Sequence, residues 1–130
     1  MRSVKLAILV LLGWLFTGHG ALVLAQDQAT SEQEKVALKK AKKLRKRILR
    51  GADFATLAQK HSDDPGSGMM GGDLGFVSSS QLIPEFEEAV VALEPGEISE
   101  PMRTPVGYHL IQLTERREGR FSTRHILIKP

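Results

Sequence analysis

Beyond residue 50 the side chains best suited to move protons or hold a metal are His61, His109 and His125, with Asp64 as the acidic member. The three histidines match no compact ligand spacing, so no metal site is expected. The chain has no cysteine, which excludes thiolate ligands and disulfides. No serine sits in the context of an activated nucleophile. The glycines between Gly66 and Gly75 are not followed by a Lys-Ser/Thr pair and do not have dinucleotide spacing, so they shape the backbone and do not cradle phosphate. Taken by itself, a histidine in a strand is most often structural, and Asp64 in Asp63-Asp64-Pro65-Gly66 has the form of a turn former. Residue types therefore point away from covalent, metal and cofactor chemistry.

The elements that must position these groups follow from periodicity. Ser31-Glu32-Gln33-Glu34 has the form of a capping box, and Ala37, Ala41, Leu44 and Ile48 recur behind it at helical spacing until Gly51 closes the helix. Asp53 caps a second helix from Phe54 to about His61. Asp64-Pro65-Gly66 marks a turn, and Gly68-Met69-Met70-Gly71-Gly72 forces a tight or bulged path before a strand holding Leu74, Phe76 and Val77. Pro84 opens a short helix with Phe86, Ala89, Val90 and Leu93 on its inner side and acids in its first turn. Strands are expected at about Ile98–Met102, Tyr108–Thr114 and Phe121–Lys129, with a polar turn over Glu115–Gly119.

The first 25 residues carry a basic start (Arg2, Lys5), an apolar centre from Leu6 to Phe16 and a Val23-Leu24-Ala25 ending, the pattern of a secretory signal peptide cleaved before Gln26. The alternative is a retained anchor over residues 6–25. The full chain has a net charge of +3, and without Arg2 and Lys5 it falls to +1, so the high pI is no sign of nucleic-acid binding. Nine basic residues nevertheless crowd between Lys35 and Arg50. Weak contact with a membrane surface or an acidic client is one use for them, and a solvated helix face is the other. No aromatic residue interleaves with the cluster, which argues against a single-stranded nucleic-acid platform.

The succession Gly51-Ala52-Asp53-Phe54, Ser62-Asp63-Asp64-Pro65, Gly71-Gly72-Asp73-Leu74-Gly75, Leu82-Ile83-Pro84-Glu85-Phe86, Leu93-Glu94-Pro95-Gly96-Glu97-Ile98 and Thr104-Pro105-Val106-Gly107-Tyr108-His109 resembles the parvulin family of peptidyl-prolyl cis/trans isomerases. The resemblance covers nearly all of the chain after residue 50. It implies an α+β fold of the FKBP-like superfold, an antiparallel four-stranded sheet surrounded by about four helices. The implied domain organisation is a leader over 1–25, a linker and basic helix over 26–50 that belongs to the domain, and the remainder over 51–130. The implied function is rotation of X–Pro bonds in unfolded or proline-containing exported polypeptides, in the periplasm or after secretion, without a cofactor.

Carried onto this sequence, the resemblance implies catalytic roles for Asp64, Thr104, His109 and His125, and a proline pocket from Leu74, Leu82 and Phe86 with Met70 as a neighbour. Two departures alter the pocket's shape: Val106 and Leu82 replace residues common at those positions. The basic loop of phosphate-directed relatives has no counterpart, so phosphoserine-proline specificity is not expected. A non-catalytic holdase for unfolded exported proteins is the competing function.

One feature departs from the family order. Arg124-His125-Ile126-Leu127-Ile128-Lys129-Pro130 resembles the first strand of a parvulin domain but comes last. The domain is then circularly permuted, with this strand folding back as a central strand of a monomer, or the chain is a remnant of a tandem protein, or the strand completes another molecule's sheet in a swapped dimer.

Overall fold

The computed structural model describes residues 28–130, and the unit Lys35–Pro130 carries the sheet and its helices. The leader, its cleavage point and the anchor alternative lie outside the described residues. Among the described residues no helix is long and apolar enough to cross a membrane.

Helix α1 spans 28–49. It is already helical at residues 28–30, so Ser31 is not its N-cap and the expected capping box lies inside the helix. Gln28, Ala29 and Thr30 contain nothing that breaks a helix, and an interior Ser and Glu are readily tolerated. Helix α2 (Phe54–His61) starts where expected, with the Asp53 carboxylate accepting the Thr56 amide at 2.9 Å. The one-turn helix α3 (Pro65–Gly68) stands where a turn was expected. Strand β1 (Asp73–Ser78) follows, then a 3₁₀ turn and helix α4 (Pro84–Val91). Strands β2 (Met102–Thr104), β3 (Gly107–Arg117) and β4 (Arg120–Ile128) complete the chain.

All strand pairs are antiparallel, in the order β1-β4-β3-β2. The last strand is thus central in its own chain's sheet, which is the intramolecular placement expected for it. Two boundaries differ from expectation. The segment 98–101 makes a single bridge, Ile98 to Gln112, before regular pairing begins at Met102. Pro101 lacks an amide proton, and the Ile111 amide donates to the Ser99 hydroxyl at 3.0 Å in place of a backbone carbonyl. The expected polar turn shrinks to Glu118-Gly119, both at positive φ (50° and 72°), which is the geometry of a two-residue hairpin turn matched to strand twist. The paired strands β3 and β4 are correspondingly long.

Alternation along β3 and β4 divides the core in two. Leu110, Ile126 and Ile128 point to one face and pack with Ala37, Ala41 and Leu44 of α1 and Phe54, Leu57 and Ala58 of α2. Ile111, Leu113 and Phe121 point to the other and pack with Phe86 and Val90 of α4 and with Leu93. His109 and His125 share this second face, because His109 stands two residues from Ile111 and His125 pairs with Ile111.

Candidate active site

His109 on β3 and His125 on β4 are diagonal neighbours across one strand pair, and their Nδ1 atoms approach to 3.2 Å with the rings stacked at 5.4 Å and 25°. Each ring extends the contact outward. His109 Nε2 lies 2.7 Å from the Thr104 hydroxyl, and His125 Nε2 lies 2.8 Å from Asp64 Oδ2. Phe86 closes the arrangement from α4, its edge set against both imidazoles at 6.2 Å.

Several local features hold these groups in place. Ser62 and Asp63 bind the end of β4, through Leu127 N to Ser62 Oγ (3.1 Å), Asp63 N to Leu127 O (2.7 Å) and Lys129 N to Asp63 Oδ2 (2.9 Å). That tether delivers Asp64 to His125. Asp64 then caps α3 through the Gly66 amide while its second oxygen faces the imidazole. Gly72 accepts the His125 amide at 2.9 Å and sits so close that a Cβ there would meet the His125 carbonyl at 2.3 Å, at a φ of +83°. A side chain at residue 72 would displace His125.

The charge state follows from these contacts. The Ser67 hydroxyl, and secondarily His125, hold the Asp64 carboxyl below its ordinary value against the opposing effect of burial. Burial, reinforced by neighbouring His125, pushes His109 down to about 4. At neutral pH Asp64 is an anion and can only accept, so His125 Nε2 carries a proton. With one proton on each ring, every contact is satisfied in a single direction. Thr104 Oγ1–H donates to His109 Nε2, His109 Nδ1–H donates to His125 Nδ1, and His125 Nε2–H donates to Asp64.

The structure brings Asp64, Thr104, His109 and His125 into one network, and packs Leu74 and Leu82 against the cluster containing Phe86. Met70 does not join them in that cluster and is 71% exposed, because Gly71 and Gly72 turn the chain immediately after it. His61 ends α2, whose buried side chains pack on the opposite face. Two residues of the site went unnoticed in the sequence. Met102 packs with the Phe86 cluster and pairs with His109 in register. Ser67 contacts both Asp64 (2.6 Å) and His125 (2.8 Å). The signal for Ser67 was the Asp-Pro-Gly-Ser spacing, which places a hydroxyl one helical turn from a capping carboxylate.

This sheet, with a polar pair under an aromatic lid, has a family to which it belongs. The model of the rotamase family, the PPIC-type PPIase domain, matches residues 21–115, and the chain is a member of that family. The match ends before β4, so the central strand that bears His125 lies outside it. Among individual relatives, the chain is 54% identical over 97 residues to the chaperone SurA of Nitrosococcus oceani, covering 75% of this chain and 22% of that protein. It is 40% identical over 96 residues to the foldase protein PrsA of a Geobacillus strain, covering 74% of this chain and 31% of that protein. The chain thus spans only about a fifth to a third of the length of these two curated relatives. A crystal structure of a PpiC-type peptidyl-prolyl cis-trans isomerase domain superposes with a TM-score of 0.64 at 26% identity, over 68% of this chain and 82% of that one. PrsA from Bacillus cereus superposes at 0.60 with 42% identity, over 62% and 31%. The parvulin-like α+β fold expected from the sequence is the fold of these structures.

Proposed function

We propose that the chain catalyses cis/trans rotation about X–Pro bonds of exported polypeptides. The observation that carries this reading is the Phe86 ring set edge-on against both imidazoles, with Leu74, Leu82 and Met102 packed in the same cluster, which supports an apolar seat beside a hydrogen-bonded network ending in an anion. Rotation cleaves no bond and must only break amide resonance, which in an ordinary peptide bond maintains a barrier of roughly 18–20 kcal/mol. Resonance places negative charge on the carbonyl oxygen. An anionic Asp64 near that oxygen disfavours the planar, charge-separated form, and an apolar seat for the prolyl ring removes the water that would otherwise stabilise it. Asp64 is the exposed end of the network, with 29% of its side chain accessible against 9% for His125. In this reading Asp64 meets the substrate while Thr104, His109 and His125 orient it.

A cleft of about 540 Å³ continues from Met102 between Glu88, Ala89 and Leu93 on one side and Ser99 and Pro101 on the other, giving room for chain that flanks the proline. The leader pattern supports export and cleavage before Gln26, and β4 within its own sheet supports a monomer. The second reading, binding of unfolded chains without rotation, draws on the name of the SurA relative and on the exposed Met69, Met70, Ile83 and Val106. A protease-coupled or direct NMR measurement of X–Pro rotation in a short peptide, without metal or nucleotide, separates the two. Acceleration over the uncatalysed time of tens to hundreds of seconds supports the isomerase. The uncatalysed rate in a folded sample that still suppresses aggregation of an unfolded protein supports the holdase.

A further inference from the structure

Ser67 is buried, yet its hydroxyl touches both members of the Asp64–His125 pair, at 2.6 Å and 2.8 Å. Its backbone is fixed as firmly as its side chain. The Ser67 carbonyl accepts the amides of Met70 (2.9 Å) and Gly72 (2.7 Å), and the Gly72 carbonyl in turn accepts the amide of His125 (2.9 Å). The contacts close a ring from Ser67 through Gly72 to His125 and back to the Ser67 hydroxyl. A serine that merely completed the single turn of α3 would need none of this.

We propose that Ser67 is a positioning residue that holds the Asp64 carboxylate and the His125 imidazole in one geometry and thereby orients the hydrogen-bond chain out to Thr104. The hydroxyl donates to Asp64 Oδ2 and accepts a share of the His125 Nε2–H, so the carboxylate and the imidazole meet through two routes. Without the hydroxyl, Asp64 would lose a donor and the carboxylate would be held to the imidazole by the single His125 Nε2–H contact.

The groups facing this pair are few among the described residues. β3 contributes His109, β2 contributes Thr104 and, acting on His109 through its charge, Arg103; α3 contributes Asp64 and Ser67, and α4 contributes the uncharged Phe86. The Ser67 hydroxyl is the largest single influence holding Asp64 below its ordinary value, which agrees with the geometry. The inference rests on the isomerase reading for what the network does, and on the contacts alone for what Ser67 does.

The test is a ¹³C and ¹⁵N NMR titration of Asp64, His109 and His125 in the full chain, compared among wild type, Ser67→Ala and Ser67→Thr. Loss of one hydrogen bond to a charged group should raise the Asp64 midpoint in Ser67→Ala by roughly one pH unit. The ¹⁵N shift of His125 Nε2 at neutral pH should also move, because its contact with the Ser67 hydroxyl is lost, and Ser67→Thr, which keeps the hydroxyl, should return both signals towards wild type. An Asp64 titration and a His125 Nε2 shift that superimpose on wild type in folded Ser67→Ala, whatever its stability, would overturn the proposal and leave Ser67 a structural residue of α3. A shifted Asp64 titration in a chain whose wild type does not accelerate prolyl rotation would support the role of Ser67 and remove the isomerase reading.

Discussion

The two faces of one sheet are built to different rules. The face under α1 and α2 is lined by Leu110, Ile126 and Ile128, with exposures of 1% or less, against alanines, leucine and phenylalanine. The face under α4 holds apolar side chains too, but interrupts them with His109, His125 and Thr123, all nearly inaccessible. Buried polar groups are costly unless satisfied, and the histidines are satisfied by each other, by Thr104 on the edge strand β2 and by Asp64 at the start of α3. The Thr123 hydroxyl is buried without a hydrogen-bond partner among the described residues. One face therefore holds the fold together, and the other uses part of that stability to keep a polar network beneath an aromatic ring.

The largest effect should come from removing what both faces share. Deleting residues 120–130 takes away the strand that pairs with both β1 and β3, leaving two rows of backbone groups unpaired and both cores open. The expected outcome is loss of cooperative thermal unfolding, seen by circular dichroism. A truncated chain that melts cooperatively would show the central strand to be dispensable.

Within the supporting face, Ile126→Ala should destabilise by about 2–5 kcal/mol in urea unfolding, the usual range for a fully buried aliphatic side chain. A cost near zero would mean that α1 and α2 collapse onto the gap. The polar face should reveal itself through pH instead. The folded value of His109 is depressed to about 4 from an ordinary value near 6.5, so the unfolded chain binds the proton more readily. Stability is then fully present above about pH 6.5 and declines as pH falls towards 4. The Asp64 shift, also downward, extends the loss to still lower pH. Melting temperatures across pH 4–8 test this, and His109→Gln should flatten the upper part of the decline. A curve equally steep in that variant would assign the loss to other groups.

The smallest effect belongs to Thr123. Replacing it with valine, nearly its isostere, removes an unpaired buried hydroxyl and should leave stability unchanged or raise it by about 1 kcal/mol. A clear loss would show that the hydroxyl has a partner in solution.

Legibility in the sequence followed the same division. The supporting face was readable because it depends on periodicity: Ala37, Ala41 and Leu44 at helical spacing, and Ile126 and Ile128 on one side of a strand with Leu127 on the other. The site was readable where motifs bring the residue with them, as for Phe86 behind Pro84 and for His109 after the Gly107 turn. Ser67 was legible only in part: its spacing from Asp64 is local, but its contact with His125 depends on β4 arriving from 58 residues away, which no local pattern records. The length of the β3–β4 hairpin was also missed, since charged residues such as Glu115 and Arg117 read as loop but sit well on an exposed strand end. Met70, which the resemblance offers as a neighbour of the pocket, is exposed, since two following glycines at positive φ turn the chain after it.

The division between faces is tested most directly by X–Pro peptide rotation measured for Phe86→Ala and Ile126→Ala, each well below its own melting temperature and normalised to folded protein. Both substitutions empty a core, but only Phe86 borders the imidazoles. Loss of the prolyl seat should lower the catalysed rate of Phe86→Ala by about tenfold or more, the equivalent of about 1.4 kcal/mol of transition-state binding, while Ile126→Ala stays within about twofold of wild type. Equal turnover in the two variants would contradict the account, since the α4 face would then be no more tied to function than the face that carries the fold.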